Sequence, residues 1–127
     1  MPKHKLVLLG GGFAGTWLAT HASPAHHDYL EVTLVSEESL FTFSPLLING
    51  LAGDLAPADF TLDLPKLATQ RGFQFTQGTI ELIDREKKSV YVRVQDGSLT
   101  ELAYDTAILA TGSKANFFDI PGLEQSA

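Results

Sequence analysis

Cysteine is absent from this chain of 127 residues. That excludes a disulfide scaffold and a C-x-x-C metal site, and it fits a reducing cytoplasm, the compartment expected here. Positive charge is also scarce: nine Lys and Arg stand against fifteen Asp and Glu, for a formal net charge of −6. Nucleic acid is therefore not expected as a partner, because neutralising phosphates needs clustered Lys and Arg. No apolar run approaches the roughly 18 residues of a membrane span. The short apolar stretch after Lys3-His4-Lys5 lacks the cleavage pattern of a signal peptide. What remains is an ordinary globular composition, 44% hydrophobic and 19% charged. Residues 1–127 read as one domain, long enough to bury roughly two thirds of the unfolded surface.

What is present concentrates in one turn. Lys5-Leu6-Val7-Leu8-Leu9 runs straight into Gly10-Gly11-Gly12-Phe13-Ala14-Gly15 and then into a helix-like segment. This sets a G-x-G-x-x-G pattern on Gly10, Gly12 and Gly15 at a strand-to-helix turn. Gly10 allows the tight turn, Gly12 lets a pyrophosphate approach the backbone, and Gly15 lets the helix pack close to the strand. The helix N-terminus adds unpaired N–H groups and the positive end of its dipole. Glycines alone are weak evidence, but a second strand, Leu30 to Val35, follows and ends in Ser36-Glu37. Glu37 lies 22 residues after Gly15, close to the spacing of about 20 expected for an acid on a ribose hydroxyl.

The rest of the chain completes an α/β pattern. Leu6–Leu9 is a run suited to a strand buried on both faces of a parallel sheet. Phe13–Ala22 has helical spacing, with Ala14, Leu18 and Ala22 on one stripe, and Ser23-Pro24 stops it. Residues 25–29 read as a surface loop. Residues 39–60, rich in Phe and Leu but broken by Gly50 and Gly53, predict a loop and a short helix lying against something apolar. Asp63-Leu64-Pro65 opens a short helix that Gly72 ends, and Phe73–Thr76 is a further strand. The period then changes to two. Ile80–Ile83, the Val90-Val92-Val94 strand and Leu99–Tyr104 form a three-stranded antiparallel meander, turning at the charged 85–88 tip and at Asp96-Gly97. Thr106–Ala110 returns to the main sheet and stops at Thr111-Gly112. The expected fold is α/β: a Rossmann-like dinucleotide-binding domain with a parallel sheet, at least one flanking helix on each side, and the meander over one face.

Four stretches, in order, resemble a known family: 6–15, 32–37, Leu40-Phe41-Thr42-Phe43-Ser44-Pro45-Leu46-Leu47, and Tyr104 through Ser113. They are similar to the FAD-binding start of type II NADH dehydrogenases and resemble sulfide:quinone oxidoreductases, both in the pyridine nucleotide-disulfide oxidoreductase superfamily. The two glycine signatures carry the superfamily and the Phe-x-Phe-x-Pro-Leu-Leu stretch narrows the branch. Disulfide reductases carry a cysteine pair there, and this chain has none. The resemblance implies that Gly10, Gly12, Phe13, Ala14 and Gly15 hold the FAD pyrophosphate. It further implies that Ser36-Glu37 meets the adenosine ribose, with Glu37 bonding it, and that Thr79 and Ile80 meet the adenine through their backbones. Ala110, Thr111 and Gly112 would pass the pyrophosphate and ribityl chain, and Pro45 would approach the isoalloxazine ring. It also implies that the chain is the N-terminal part of a longer oxidoreductase. That parent would take NADH as substrate and a quinone as acceptor, with C-terminal domains beyond Gly122 and a peripheral place on the cytoplasmic face of the membrane. The part alone would have no catalytic residue and no turnover.

Other readings stay open. The chain could be a stand-alone nucleotide-binding or assembly module, or part of a sulfide oxidase. Phe41 and Phe43 could be core, flavin-lining or both. Trp17 reads as packing rather than a cofactor stack. His26-His27-Asp28 lacks metal-ligand spacing and a third ligand, so no metal is expected. His4 and His21 carry no signal, and neither Ser113 nor Lys114 has a general base nearby in sequence. The Leu46–Leu51 stretch predicts self-association or a retained partner contact.

Overall fold

The computed structural model describes residues 2–23, 27–113, 116 and 118–126. Pro24, Ala25, His26 and Lys114, read above as a helix stop, a loop and a turn neighbour, lie outside the described residues. Four strands form a parallel sheet in the order β5-β2-β1-β9: β1 (His4–Leu9), β2 (Leu30–Ser36), β5 (Gln74–Gln77) and β9 (Thr106–Leu109). Residues 6 to 9 of β1 pair with 32 to 35 of β2 on one side and with 106 to 109 of β9 on the other. A reciprocal tie fixes the start of that second pair. The Lys5 N–H donates to the Asp105 carboxylate at 2.8 Å, and the Asp105 N–H donates to the Lys5 carbonyl at 2.9 Å. His4 adds a 2.9 Å hydrogen bond from its ring to the Thr106 hydroxyl.

The central strands bury both faces, and alternation divides the core in two. Leu8, Val32 and Leu34 face α1 (Phe13–His21) and α3 (Leu64–Arg71), packing with Ala19, Leu64, Ala68 and Phe73. Val7, Leu9 and Val35 face the antiparallel sheet of β6 (Thr79–Asp84), β7 (Ser89–Arg93) and β8 (Leu99–Ala103), packing with Val90 and Val92. Among the described residues both long helices thus lie on one side of the parallel sheet. The other face, where a helix is expected, is instead filled by the meander's own valines.

The helix boundaries follow local chemistry. The Asp63 carboxylate accepts the Lys66 N–H at 3.0 Å, Pro65 stands in the first turn, and Gly72 closes α3 in the left-handed conformation. In α1 the expected stripe needs correction. Gly15, Thr16 and Ala19 are buried, Leu18 and Ala22 are half-buried, and Ala14 is exposed. The close helix–strand contact at Gly15 rotates that face inward and turns Ala14 out. Trp17 is not core either: it is 53% exposed and stacks on the His21 ring at 4.0 Å.

Residues 39–63 differ most from the reading of the sequence. They form a small antiparallel pair, β3 (Leu40–Thr42) with β4 (Thr61–Asp63), enclosing a 3-10 turn at Ser44–Leu46 and a five-residue helix, α2 (Leu47–Leu51). The helix does back onto an apolar partner, the Phe60 ring beneath Gly50, but that partner belongs to the same segment and the helix turns its large apolar side chains outward. Ile48 is 77% and Leu51 90% exposed, since α2 is carried away from the sheet at the tip of this arm.

Candidate functional site

The carboxyl ends of β1, β2 and β9 converge on a cleft of about 480 Å³, the place where open α/β sheets bind ligands. Its floor is the glycine turn, and three glycines there have different reasons for being glycine. Gly10 has φ +121°, and a Cβ on it would strike the Ala110 carbonyl. Gly15 would strike the Gly10 carbonyl. Both are demanded by the fold itself: the β1–α1 and β9 turns touch at Gly10, and the Ala110 N–H donates to the Leu9 carbonyl at 2.7 Å. Gly12 is the opposite case. Its φ is an ordinary −80°, and a Cβ built there meets nothing within 4 Å. The protein leaves open space above that backbone.

Gly12 is also the N-cap residue of α1, and no side chain caps the helix. The N–H groups of Gly12, Phe13 and Ala14 have no hydrogen-bond partner among the described residues. A row of free donors at the positive end of a nine-residue helix, beside an open glycine backbone, suits a phosphate.

The far wall is the turn after β2. Ser36 is buried and its hydroxyl accepts the Glu38 N–H at 3.2 Å. The Gln77 amide donates to the Glu37 carbonyl at 3.1 Å, and the Gly78 N–H donates to the Ser36 carbonyl at 2.9 Å. The backbone is thus pinned from β5 while the Glu37 and Glu38 carboxylates stay exposed, with no hydrogen bond or ion pair among the described residues. Glu37 stands where this cleft meets a second hollow of about 360 Å³ bounded by Thr79, Arg93 and the 94–97 turn. Arg93 is already committed, to Glu81 and to the Gly97 carbonyl, both at 2.7 Å.

The residues singled out from the sequence fall in distinct places. Gly10, Gly12, Ser36, Glu37, Ile80 and Thr111 line the cleft. Thr79 borders the neighbouring hollow instead. Gly15 is packed beneath the turn, Phe13 and Ala14 lie exposed on the first turn of α1, and Ala110 supports Gly10 from below. Gly112, at φ +73°, follows Thr111 outside the lining, and Pro45 is exposed on the arm. Sequence reasoning missed Gly11, Glu38 and Gly78 in the lining. A second acid beside Glu37, and a glycine between two strand patterns, were the available signals. Phe41 lines the cleft and packs on the core at once, while Phe43 packs on Phe13. Among the described residues no group of His, Cys, Asp or Glu is placed to hold a metal ion, and no helix is long and apolar enough to cross a membrane.

The sequence matches the pyridine nucleotide-disulphide oxidoreductase family over residues 4–127. The chain belongs to this family. An external alternative NAD(P)H-ubiquinone oxidoreductase, B4, of Arabidopsis thaliana mitochondria is 30% identical over 98% of this chain and 22% of its own length. Among solved structures, NDH2 of Plasmodium falciparum in complex with NADH superposes with a TM-score of 0.83, at 26% identity, over 97% of this chain and 25% of that one. The sulfide:quinone oxidoreductase of Aquifex aeolicus gives a TM-score of 0.80 at 27% identity, over 96% and 27%. The chain therefore spans about a quarter of the length of these family relatives. FAD is the cofactor of the family.

Proposed function

We propose that the cleft binds FAD, and that residues 1–127 form the FAD-binding part of an NADH:quinone oxidoreductase. The observation that carries this is the open backbone at Gly12, where the fold itself needs no glycine, beneath unpartnered N–H groups at the start of α1. The pyrophosphate fits those donors and the Glu37 carboxylate fits a ribose hydroxyl. Thr79 and Ile80 flank the adenine end, Thr111 and Gly112 the ribityl chain, and Pro45 the ring end. When bound, FAD supplies hydride acceptance and one-electron transfer. This chain's residues supply binding and orientation. No catalytic residue is assigned to them, and the 127 residues alone carry no turnover.

The relatives motivate the rest of the reading: NADH as electron donor, a quinone as acceptor, further domains in the full-length protein, and a peripheral place on the cytoplasmic face of a membrane. A second reading is favoured by the likeness to the Aquifex enzyme: sulfide in place of NADH. Titrating FAD into the purified chain, followed by flavin fluorescence, tests the first claim; saturable binding supports it and its absence overturns it. A chain of relatives' length, loaded with FAD, should oxidise NADH when quinone is present. Turnover with sulfide instead selects the second reading. The exposed apolar tip at Leu47, Ile48 and Leu51 predicts self-association of the 127-residue chain. A single monomeric species across concentrations in sedimentation would contradict that.

A further inference from the structure

We infer that Phe13 is a positioning residue that holds the 40–63 arm against the dinucleotide turn, so that the arm can meet the ring end of the cofactor. The inference rests on the dinucleotide reading above and adds a part that the glycine pattern does not assign. Phe13 is the first residue of α1. Its N–H is one of the free donors at the phosphate position, while its ring points out of the core, at 65% exposure. A large apolar ring so exposed at a glycine turn has one evident use in the structure. It meets Phe41 edge-on at 6.2 Å between centroids and Phe43 at 5.9 Å.

The arm has few other means of staying in place. No residue from 37 to 63 is buried. At its base the Leu64 N–H donates to the Ser39 carbonyl at 2.9 Å, and Phe41 packs on the core. Further out, the Phe43 N–H donates to the Phe60 carbonyl at 2.8 Å. That bond lies within the arm and does not attach it to the body. The aromatic triad is therefore the clip between the arm and the cleft. Because Leu40, Phe41 and Thr42 form one wall of that cleft, a loosened clip widens the site. Backbone and ring of Phe13 thus tie two events together: seating of the pyrophosphate and placement of the arm.

The test compares wild type, Phe13→Ala and Phe13→Tyr. Chymotrypsin cleavage between residues 43 and 60 reports the arm in the ligand-free chain, and titrations with FAD and with ADP report the cleft. Phe13→Ala should cleave faster and bind FAD about tenfold more weakly, the scale set by two lost ring contacts. ADP, which lacks the ring end that the arm is placed to meet, should lose less affinity than FAD, and Phe13→Tyr should restore both readouts. Wild-type cleavage and an unchanged ratio of FAD to ADP affinity in Phe13→Ala would overturn the inference. So would equal losses for both ligands, which would mean a distorted turn. If wild type binds neither ligand, the dinucleotide reading falls, and unchanged cleavage would separately overturn the role of Phe13 in holding the arm.

Discussion

The sheet and the arm are built from similarly apolar sequence and behave differently. Val32 through Ser36 on β2 are all buried, whereas no residue from 37 to 63 is. Leu34 is fully enclosed between β1, α1 and α3; Leu51, at the tip of the arm, is 90% exposed. Hydrophobicity measures what a segment could bury. Whether it is buried depends on a partner: the sheet brings its partners with it, while the arm meets the body through Phe13 and Phe41 and leaves its tip uncovered among the described residues.

Glycines give the sharpest way to test that contrast. Gly15→Val forces a side chain into the Gly10 carbonyl, backbone that cannot step aside, so no soluble folded protein is expected, as read by circular dichroism and yield. Gly53→Ala, on the arm, meets no atom within 4 Å but sits at φ +82°. It should cost about 1–2 kcal/mol of local strain and leave the sheet intact. The leucines follow the same order. Leu34→Ala should lower unfolding free energy by about 2–5 kcal/mol. Leu51→Ala should stay within about 0.5 kcal/mol, both measured by urea denaturation. Equal losses would mean that the arm is buried in solution. At the junction, Asp63→Ala removes the cap of α3 and should cost about 0.5–2 kcal/mol, with earlier proteolysis at the base of the arm.

The smallest expected effect lies far from the arm, at the other end of the sheet. The Lys5 N–H donated to Asp105 holds that carboxyl below its ordinary 3.8, helped by the His4 and Lys88 charges. A lowered carboxylate stabilises the fold above its unfolded value and ceases to do so as pH falls through its folded value. The difference in melting temperature between wild type and Asp105→Asn should therefore be fully present at neutral pH, begin to shrink near 3.8, and vanish only as pH falls through the lowered folded value. It should be modest, because the group is exposed. A difference that grew in acid would contradict the tie between β1 and β9.

The sequence was legible where a residue's reason lies within its own element or the next. The apolar runs of β1 and β2, the Asp63–Gly72 helix signals and the period-two meander all report contacts that the described chain itself makes. The side of the sheet that the helices occupy was not legible, because either face of β1 is apolar and only the valines of β7 decide it. Nor was the inward face of α1, which a single close approach at Gly15 rotates away from Ala14. In the cleft, the motif glycines and the Ser36-Glu37 turn could be read directly. Gly78 was harder to read, since it reaches the cleft by donating its N–H to the Ser36 carbonyl from far away in sequence, while Glu38 enters through a local turn in which its N–H donates to the Ser36 hydroxyl.

Gly12 tests the central claim most directly, because the fold leaves its side-chain position empty. Calorimetric titration of FAD into wild type and Gly12→Val, with thermal melts of both, separates binding from folding. The account predicts saturable FAD binding by wild type, none by Gly12→Val, and the same melting temperature for the two ligand-free proteins. FAD binding by Gly12→Val as tight as that of wild type would show that the open backbone is not the phosphate seat.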